Sequence, residues 1–171
     1  MEWWQQVSTT IASEFSDISD IPEMTRITLR LFLAALLGGL LGYERERKGK
    51  AAGVKTHMLV ALGSALFVLI PKEAGVSDAE LSRIIQGVVA GIGFLGAGAI
   101  IKSNNNNEEH ITGLTTAAGI WLTSAIGVTV GMGRETSAVL CTLFALAIFY
   151  LVPHWSRSWD KTGKQGKVQD E

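Results

Sequence analysis

The sequence has few charged residues and only one cysteine. Asp, Glu, Lys and Arg make up 18% of the 171 residues, whereas a soluble domain usually carries about 25%. Because Cys141 is alone, the chain has neither an intrachain disulfide nor a cluster of thiolates for a metal. The first twenty residues contain no Lys or Arg. A cleavable signal peptide begins with a basic segment, so we expect the N-terminus to be retained.

The charges that are present lie between five long apolar stretches. These stretches cover residues 21–43, 54–70, 77–101, 113–130 and 136–152. About 20 mostly apolar residues cross roughly 30 Å of hydrocarbon. The sequence therefore predicts an all-α, polytopic membrane helix bundle of about five transmembrane helices, in a membrane domain of residues 21–153.

Capping signals mark two of the helix starts. Asp20 with Glu23, and Ser77 with Glu80, have the spacing of a capping box. Pro71 is expected to end the second span. The segment 102–112, with four consecutive asparagines, is predicted to be a polar linker.

The two terminal segments are more polar than the spans. Residues 1–20 place apolar side chains at three- and four-residue steps, which predicts an amphipathic helix at the membrane interface. A frayed acidic tail is the alternative. Residues 154–171 are predicted to form a polar cytoplasmic tail. The apolar positions of the first segment are Trp3, Trp4, Val7, Ile11, Phe15 and Ile18.

Basic residues predict the orientation. They cluster after the first span and after the fifth, and are sparse on the other side. By the positive-inside rule the N-terminus faces out and the C-terminus faces in, as an odd number of spans also requires. The clustered residues are Arg45, Arg47, Lys48, Lys50, Lys55, Arg157, Lys161, Lys164 and Lys167.

Glycines are dense in the third span. Residues 91–96 match the G-x-G-x-x-G pattern, but a dinucleotide site needs a preceding strand in a soluble unit, so we reject it. Pairs four residues apart let membrane helices approach closely. The alternative is a broken helix that exposes backbone carbonyls. The candidate glycines are Gly38, Gly42, Gly87, Gly91, Gly93, Gly96 and Gly98.

Polar groups at membrane depth are functional candidates because burying a charge in lipid is costly. Arg30 and Glu44 lie about 21 Å apart on one helix, so each needs a partner elsewhere. Snorkelling is the alternative for Arg30, and an ordinary interfacial ion pair is the alternative for Glu44. His57 begins the second span and is either structural or a pH sensor. Neutral candidates that either join helices or line a cavity are Gln86, Thr115 and Thr116.

No residue pattern indicates catalysis or a bound metal. No nucleophile and base are suitably spaced, carboxylates near the spans are few, and His110 and His154 are isolated. We therefore expect no enzyme activity, no cofactor, no metal site and no nucleic-acid partner.

Four stretches of the chain resemble the signature of the MgtC/SapB family. They are residues 42–46, 53–57, 91–98 and 113–118 with Trp121, and their order and spacing are shared. The resemblance covers most of residues 26–130 and adds Arg45, Thr56 and Trp121 to the candidates. Ala90 stands where the family often has Ser. Many relatives also add a soluble domain after the last span, for which residues 153–171 are too short.

The resemblance implies a multi-pass protein of the bacterial inner membrane, linked to low magnesium, acid tolerance and survival in host cells. It favours a regulator that contacts another membrane protein or a second copy of itself within the lipid bilayer. A small transporter or channel for Mg²⁺ or another ion is the alternative.

Overall fold

The computed structural model describes residues 2–16, 20–105 and 108–165 and is built almost wholly from helices. Residues 1, 17–19 and 166–171 of the predicted terminal segments lie outside this description, as do residues 106 and 107. The helices are α1 (Glu2–Glu14), α2 (Ile21–Arg47), α3 (Val54–Glu73), α4 (Asp78–Ala99), α5 (Leu114–Gly131) and α6 (Glu135–Gln165), with strands β1 (Ile101–Asn105) and β2 (Glu108–Thr112) between α4 and α5.

Five of these helices are long and apolar enough to cross a membrane. They are α2 to α6, of which α6 contributes Glu135–Val152. The predicted all-α, five-span bundle is therefore confirmed, while the orientation of its termini stays a prediction. Successive spans run in opposite directions. We call the end where α2, α4 and α6 begin the Arg30 end, and the end where α3 and α5 begin the Arg45 end.

The predicted helix starts are confirmed by their caps. The Asp20 carboxylate accepts a hydrogen bond from the Glu23 backbone N–H at 2.7 Å. The Ser77 hydroxyl accepts one from the Glu80 N–H, and the Glu80 carboxylate accepts one from the Ser77 N–H. Each contact satisfies a donor that the first turn of a helix would otherwise leave free.

The prediction that Pro71 ends the second span is wrong by half a turn, because α3 continues to Glu73. Proline removes only its own N–H, so the helix can run on briefly. Termination comes instead from Gly75, whose φ of 76° is left-handed. The N–H groups of Gly75 and Val76 bond back to the carbonyls of Lys72 and Pro71, which is a Schellman ending.

The segment after the third span was predicted to be a linker, but its described residues form two β-strands. Helix α4 ends at Ala99, and β1 pairs with β2 as an antiparallel hairpin in which Ile101 lies opposite Thr112 and Asn105 opposite Glu108. Backbone groups outside a helix still need partners, and the β-branched residues Ile101, Ile111 and Thr112 favour a strand.

The final helix extends beyond the predicted span. Helix α6 passes Pro153 and continues to Gln165, so the segment predicted as a tail is helical over its described part. A single proline costs one hydrogen bond and a local clash, which does not stop the following residues from being helical.

Helix α5 is the most buried span, with 56% of its membrane window inside the bundle against 33% for α3 and 17% for α4 and for α6. It packs against α2, α3, α4 and α6, and α3 also packs closely against α2. Helix α1 buries none of its residues, and its apolar positions Trp3, Trp4, Val7, Ile11 and Phe15 are exposed. Its place at the membrane interface stays a prediction.

Candidate functional site

The first two signature stretches of the sequence meet at the Arg45 end. A Cβ atom at Gly42 would lie 2.7 Å from Val54 Cα and 2.8 Å from the Gly53 carbonyl oxygen. Only glycine therefore lets α2 approach the first turn of α3 this closely. The Glu46 carboxylate also accepts a hydrogen bond from the Val54 N–H at 2.8 Å. Residues 42–46 and 53–57 thus form one structural unit.

Arg45 is buried within this unit, with 3% of its surface exposed. Its Nε donates to Glu44 Oε2 at 2.6 Å, and its Cζ lies 4.0 Å from the centre of the Phe149 ring on α6. The carboxylate balances the charge and the ring provides a cation–π contact. Arg45 Nη1 is buried and has no hydrogen-bond partner among the residues that the structure describes.

Lys48 joins the same group of charges. Its Nζ lies 2.5 Å from Glu44 Oε1 and donates a hydrogen bond to the Phe149 carbonyl oxygen. Glu44 therefore has two cationic partners close to it in sequence, which is the ordinary ion pairing considered as its alternative. The pair of contacts from Arg45 and Lys48 to Phe149 fixes α6 against α2.

His57 is fully buried one helical turn inside the start of α3. Its Nδ1 lies 2.9 Å from the Gly53 carbonyl oxygen, so Nδ1 carries the proton and donates. In the neutral ring Nε2 is then an acceptor, and no described residue donates a hydrogen bond to it. A Cβ atom at Gly119 would lie 3.6 Å from His57 Nε2 and 3.5 Å from Phe149 Cζ. Gly119 thus keeps a small space beside the free nitrogen.

The cluster of Glu44, Arg45, Lys48, His57 and Phe149 has the chemistry of a buried polar site. It combines an unpaired donor on Arg45 with an unpaired acceptor on His57. A buried water molecule needs polar partners of these kinds. Nowhere in the described part of the chain do three or more His, Cys, Asp or Glu side chains come together as candidate metal ligands.

Arg30 lies in a second charged cluster, at the opposite end of the bundle. Its Nη1 is 3.2 Å from Glu73 Oε1 on α3, and its Nε is 3.2 Å from Glu135 Oε1 on α6. Arg26 adds a longer contact of 3.8 Å to Glu73. A side chain on Gly133, which has a φ of 77°, would overlap the Arg30 guanidinium. Arg30 is therefore paired between three helices rather than snorkelling alone.

The other polar candidates are not brought into either cluster. Thr116 is buried, whereas Thr56, Gln86, Thr115 and Trp121 are exposed on the outside of the bundle. The buried hydrogen bond between spans is made instead by Ser64 and Ser124, whose hydroxyl oxygens are 2.7 Å apart. It supports the expectation that neutral polar groups join helices.

The candidate glycines divide into two groups. Gly38 and Gly42 lie directly against α3, where a Cβ would meet backbone or Cβ atoms at 2.5–3.0 Å. Gly96 has ordinary contact with Ala117. In contrast, no atom of the described part of the chain lies within 4 Å of a Cβ placed on Gly87, Gly91, Gly93 or Gly98. Helix α4 is continuous, so the broken-helix alternative is wrong.

Sequence reasoning missed several residues that complete these sites. Glu73 and Glu135 are the partners of Arg30, and Phe149 is the partner of Arg45. Gly127 and Gly131 let α5 pack on the backbone of Ala61 and Ala65 of α3. Their four-residue spacing was a readable signal, since it equals that of Gly38 and Gly42. No sequence signal connects Phe149 with Arg45.

Comparison with known proteins identifies the family. Residues 31–158 match the model of the MgtC family. Protein SrpB of Synechococcus elongatus is 43% identical over 129 residues, which cover 70% of this chain and 71% of SrpB. The putative magnesium transporter YhiD of Escherichia coli is 43% identical over 133 residues, 71% of this chain and 60% of YhiD. Protein MgtC of Brucella abortus is 42% identical over 115 residues, 67% of this chain and 46% of MgtC.

The chain thus matches less than two thirds of YhiD and about half of the Brucella MgtC. No solved structure matches this chain. The family match covers four of the five spans completely and includes the cluster around Arg45, whereas Arg30 lies just before its first residue. The chain therefore belongs to the MgtC family, and it is a multi-pass protein of the bacterial inner membrane.

Proposed function

We propose that this protein regulates adaptation to low magnesium, acid or host stress by binding another membrane protein, or a second copy of itself, through α4. One observation carries the proposal. Gly87, Gly91 and Gly98 lie within about 40° of one another around α4, because successive helical residues are about 100° apart. Nothing in the described structure lies against this stripe.

A glycine inside a helix lowers the stability of that helix. Each glycine inside a helix is about 1 kcal/mol less favourable than alanine. On α2 and α5 that cost is offset by close contact with the backbone of α3, as at Gly42 and Gly127. At Gly87, Gly91 and Gly98 of α4, no contact with the described residues offsets it. A helix of another protein that packs on the stripe would offset the cost of these glycines, because it needs small residues for close approach. A flexible lipid chain would adapt to larger side chains and would not require glycine.

The form of the surface also supports a helix as the occupant. Gly87 and Gly91 line an apolar groove of about 560 Å³ between α3 and α4, together with Leu59 and Phe67. Gly98 lines a second groove of about 380 Å³ next to it, and Leu95 belongs to both. From Gly87 to Gly98 the stripe runs about 16 Å, which is half of the hydrocarbon thickness.

The test is a Gly91→Leu, Gly98→Leu variant, compared with Gly93→Leu. Gly93 is also uncovered, but it lies about 160° from Gly91 around the helix. We expect the double variant to be inserted normally, to lose crosslinks to its partner, and to fail to restore growth of a deletion strain at low magnesium. The Gly93→Leu control should restore growth. Full assembly and full growth of the double variant would refute the proposal.

Transport of Mg²⁺ or another ion is the second candidate function. The observation that favours it is the 43% identity to YhiD, which is described as a putative magnesium transporter. Magnesium flux should be measured in proteoliposomes for the natural chain and for an Arg30→Ala, Glu44→Gln variant. Flux that disappears in a variant of unchanged thermal stability would support transport. Absence of flux from folded natural protein would contradict it.

A further inference from the structure

A groove at the Arg30 end contains polar side chains that make no hydrogen bond or ion pair within the described structure. The groove has a volume of about 620 Å³ and lies between α4 and the junction of α5 with α6. Asp78 and Arg134 are at its rim, and neither has a charged partner within 4.0 Å in the described part of the chain. Its volume is in the range of small-molecule pockets.

The charged and polar side chains of the groove lie in a row that starts at its rim. Asp78 is the first residue of α4, and Arg134 directly precedes α6. Ser82 and Gln86 follow Asp78 at four-residue steps on one helical face, about 6 and 12 Å further in. The apolar residues Leu81, Ile85, Val89, Ala90 and Met132 form the rest of the wall. The charged and polar side chains thus form one row from the rim inwards, with apolar side chains beside and beyond it.

The side chain of Gln86 needs a hydrogen-bond partner that the rest of the groove does not supply. It is exposed on the outside of the bundle, about 12 Å from the start of α4, and its amide makes no hydrogen bond with the described residues. No water is present at hydrocarbon depth to satisfy such a group, which costs several kcal/mol when unpaired. Helical side chains lean towards the N-terminus of their helix, so the amide extends towards the rim.

We propose that the groove binds one zwitterionic aminophospholipid, of the phosphatidylethanolamine class. Arg134 contacts the phosphate, and Asp78 contacts the ammonium group. The Gln86 amide donates to an ester carbonyl oxygen, and an acyl chain packs along Ile85 and Val89. Two opposite charges at the rim match a headgroup that carries both signs. A purely anionic headgroup would lack a partner for Asp78 and would be repelled by it.

The test is native mass spectrometry of the full chain in detergent, titrated with phosphatidylethanolamine and, separately, with phosphatidylglycerol. We expect one tightly held phosphatidylethanolamine per chain. Arg134→Gln should weaken its binding about fivefold, since exposed ion pairs contribute up to about 1 kcal/mol. Gln86→Leu should weaken it about threefold, as expected for one hydrogen bond in a membrane protein.

Two further variants separate the roles of the charges. Asp78→Asn should remove the preference for phosphatidylethanolamine over phosphatidylglycerol, while both lipids still bind. Arg83→Gln is the matched control, because Arg83 is an exposed arginine of α4 that does not line the groove. Equal losses for Arg83→Gln and Arg134→Gln would overturn the proposal. So would a dimer that dissociates in the Gln86→Leu variant and binds no lipid, since a second copy would then occupy the groove.

Discussion

The glycines of this bundle lie on two kinds of surface. Those of α2 and α5 are closed, because α3 lies so near that a Cβ at Gly42 or Gly127 would overlap its backbone. Those of α4 at Gly87, Gly91 and Gly98 are open. The same residue type at the same helical spacing therefore serves packing within the chain in one place and leaves a free surface in the other. The difference indicates where the molecule has room for a partner.

The closed surface of α2 ends in a buried charge, and its removal should have the largest effect. Arg45→Ala removes one of the two cationic partners of Glu44 and the ring contact with Phe149. We expect the free energy of unfolding to fall by about 3 kcal/mol, because breaking a buried ion pair leaves a charge poorly compensated. Unfolding in mixed detergent and SDS would measure it. Arg47→Ala, an exposed neighbour, should change stability by less than about 0.5 kcal/mol.

Gly42→Ala tests the closed surface itself. The added methyl group would lie 2.7 Å from Val54 Cα and 2.8 Å from the Gly53 oxygen, both of which are backbone atoms that cannot move cheaply. We expect a loss of about 2 kcal/mol, typical of overpacking. The same unfolding assay applies. An unchanged stability would show that α2 and α3 can move apart without an energetic cost. It would contradict the statement that this surface requires glycine.

Gly91→Ala makes the same chemical change on the open surface and should have the opposite sign. Nothing lies within 4 Å of the added methyl group, so only the helix propensity changes. We expect the isolated chain to gain up to about 1 kcal/mol in stability. A clear loss of stability for the purified monomer would mean that Gly91 is covered by another part of the chain.

The smallest effect should come from the hydroxyl groups between α3 and α5. Ser64→Ala removes the 2.7 Å contact with Ser124 on the closed surface. Hydrogen bonds between membrane helices contribute about 0.6 kcal/mol on average. A double-mutant cycle with Ser124→Ala would give the coupling energy directly. Coupling near zero would show that glycine packing, without this hydrogen bond, accounts for the stability of the α3–α5 contact.

Much of the candidate site could be predicted from local sequence, and the rest depended on contacts between distant residues. The capping of α2 at Asp20 and the membrane depth of Arg30 were readable, because both depend on neighbouring residues or on helix length. The partners Glu73 and Glu135 were not, since the pairing joins residues 43 and 105 positions apart. Phe149 was missed for the same reason. Nothing in the sequence of an apolar span indicates that one of its aromatic rings contacts a cation on another helix.

The sequence by itself determined that this chain spans a membrane with five helices, because hydrocarbon thickness sets the length of each apolar run. It also determined the family, through four short stretches in a fixed order. Only the tertiary structure decided which glycines are used inside the chain. A G-x-x-x-G pattern states that a helix can be approached closely, but it does not state by which helix. That depends on how all the spans pack together, and in this bundle α3 covers the glycines of α2 and α5 while Gly87, Gly91 and Gly98 of α4 stay uncovered.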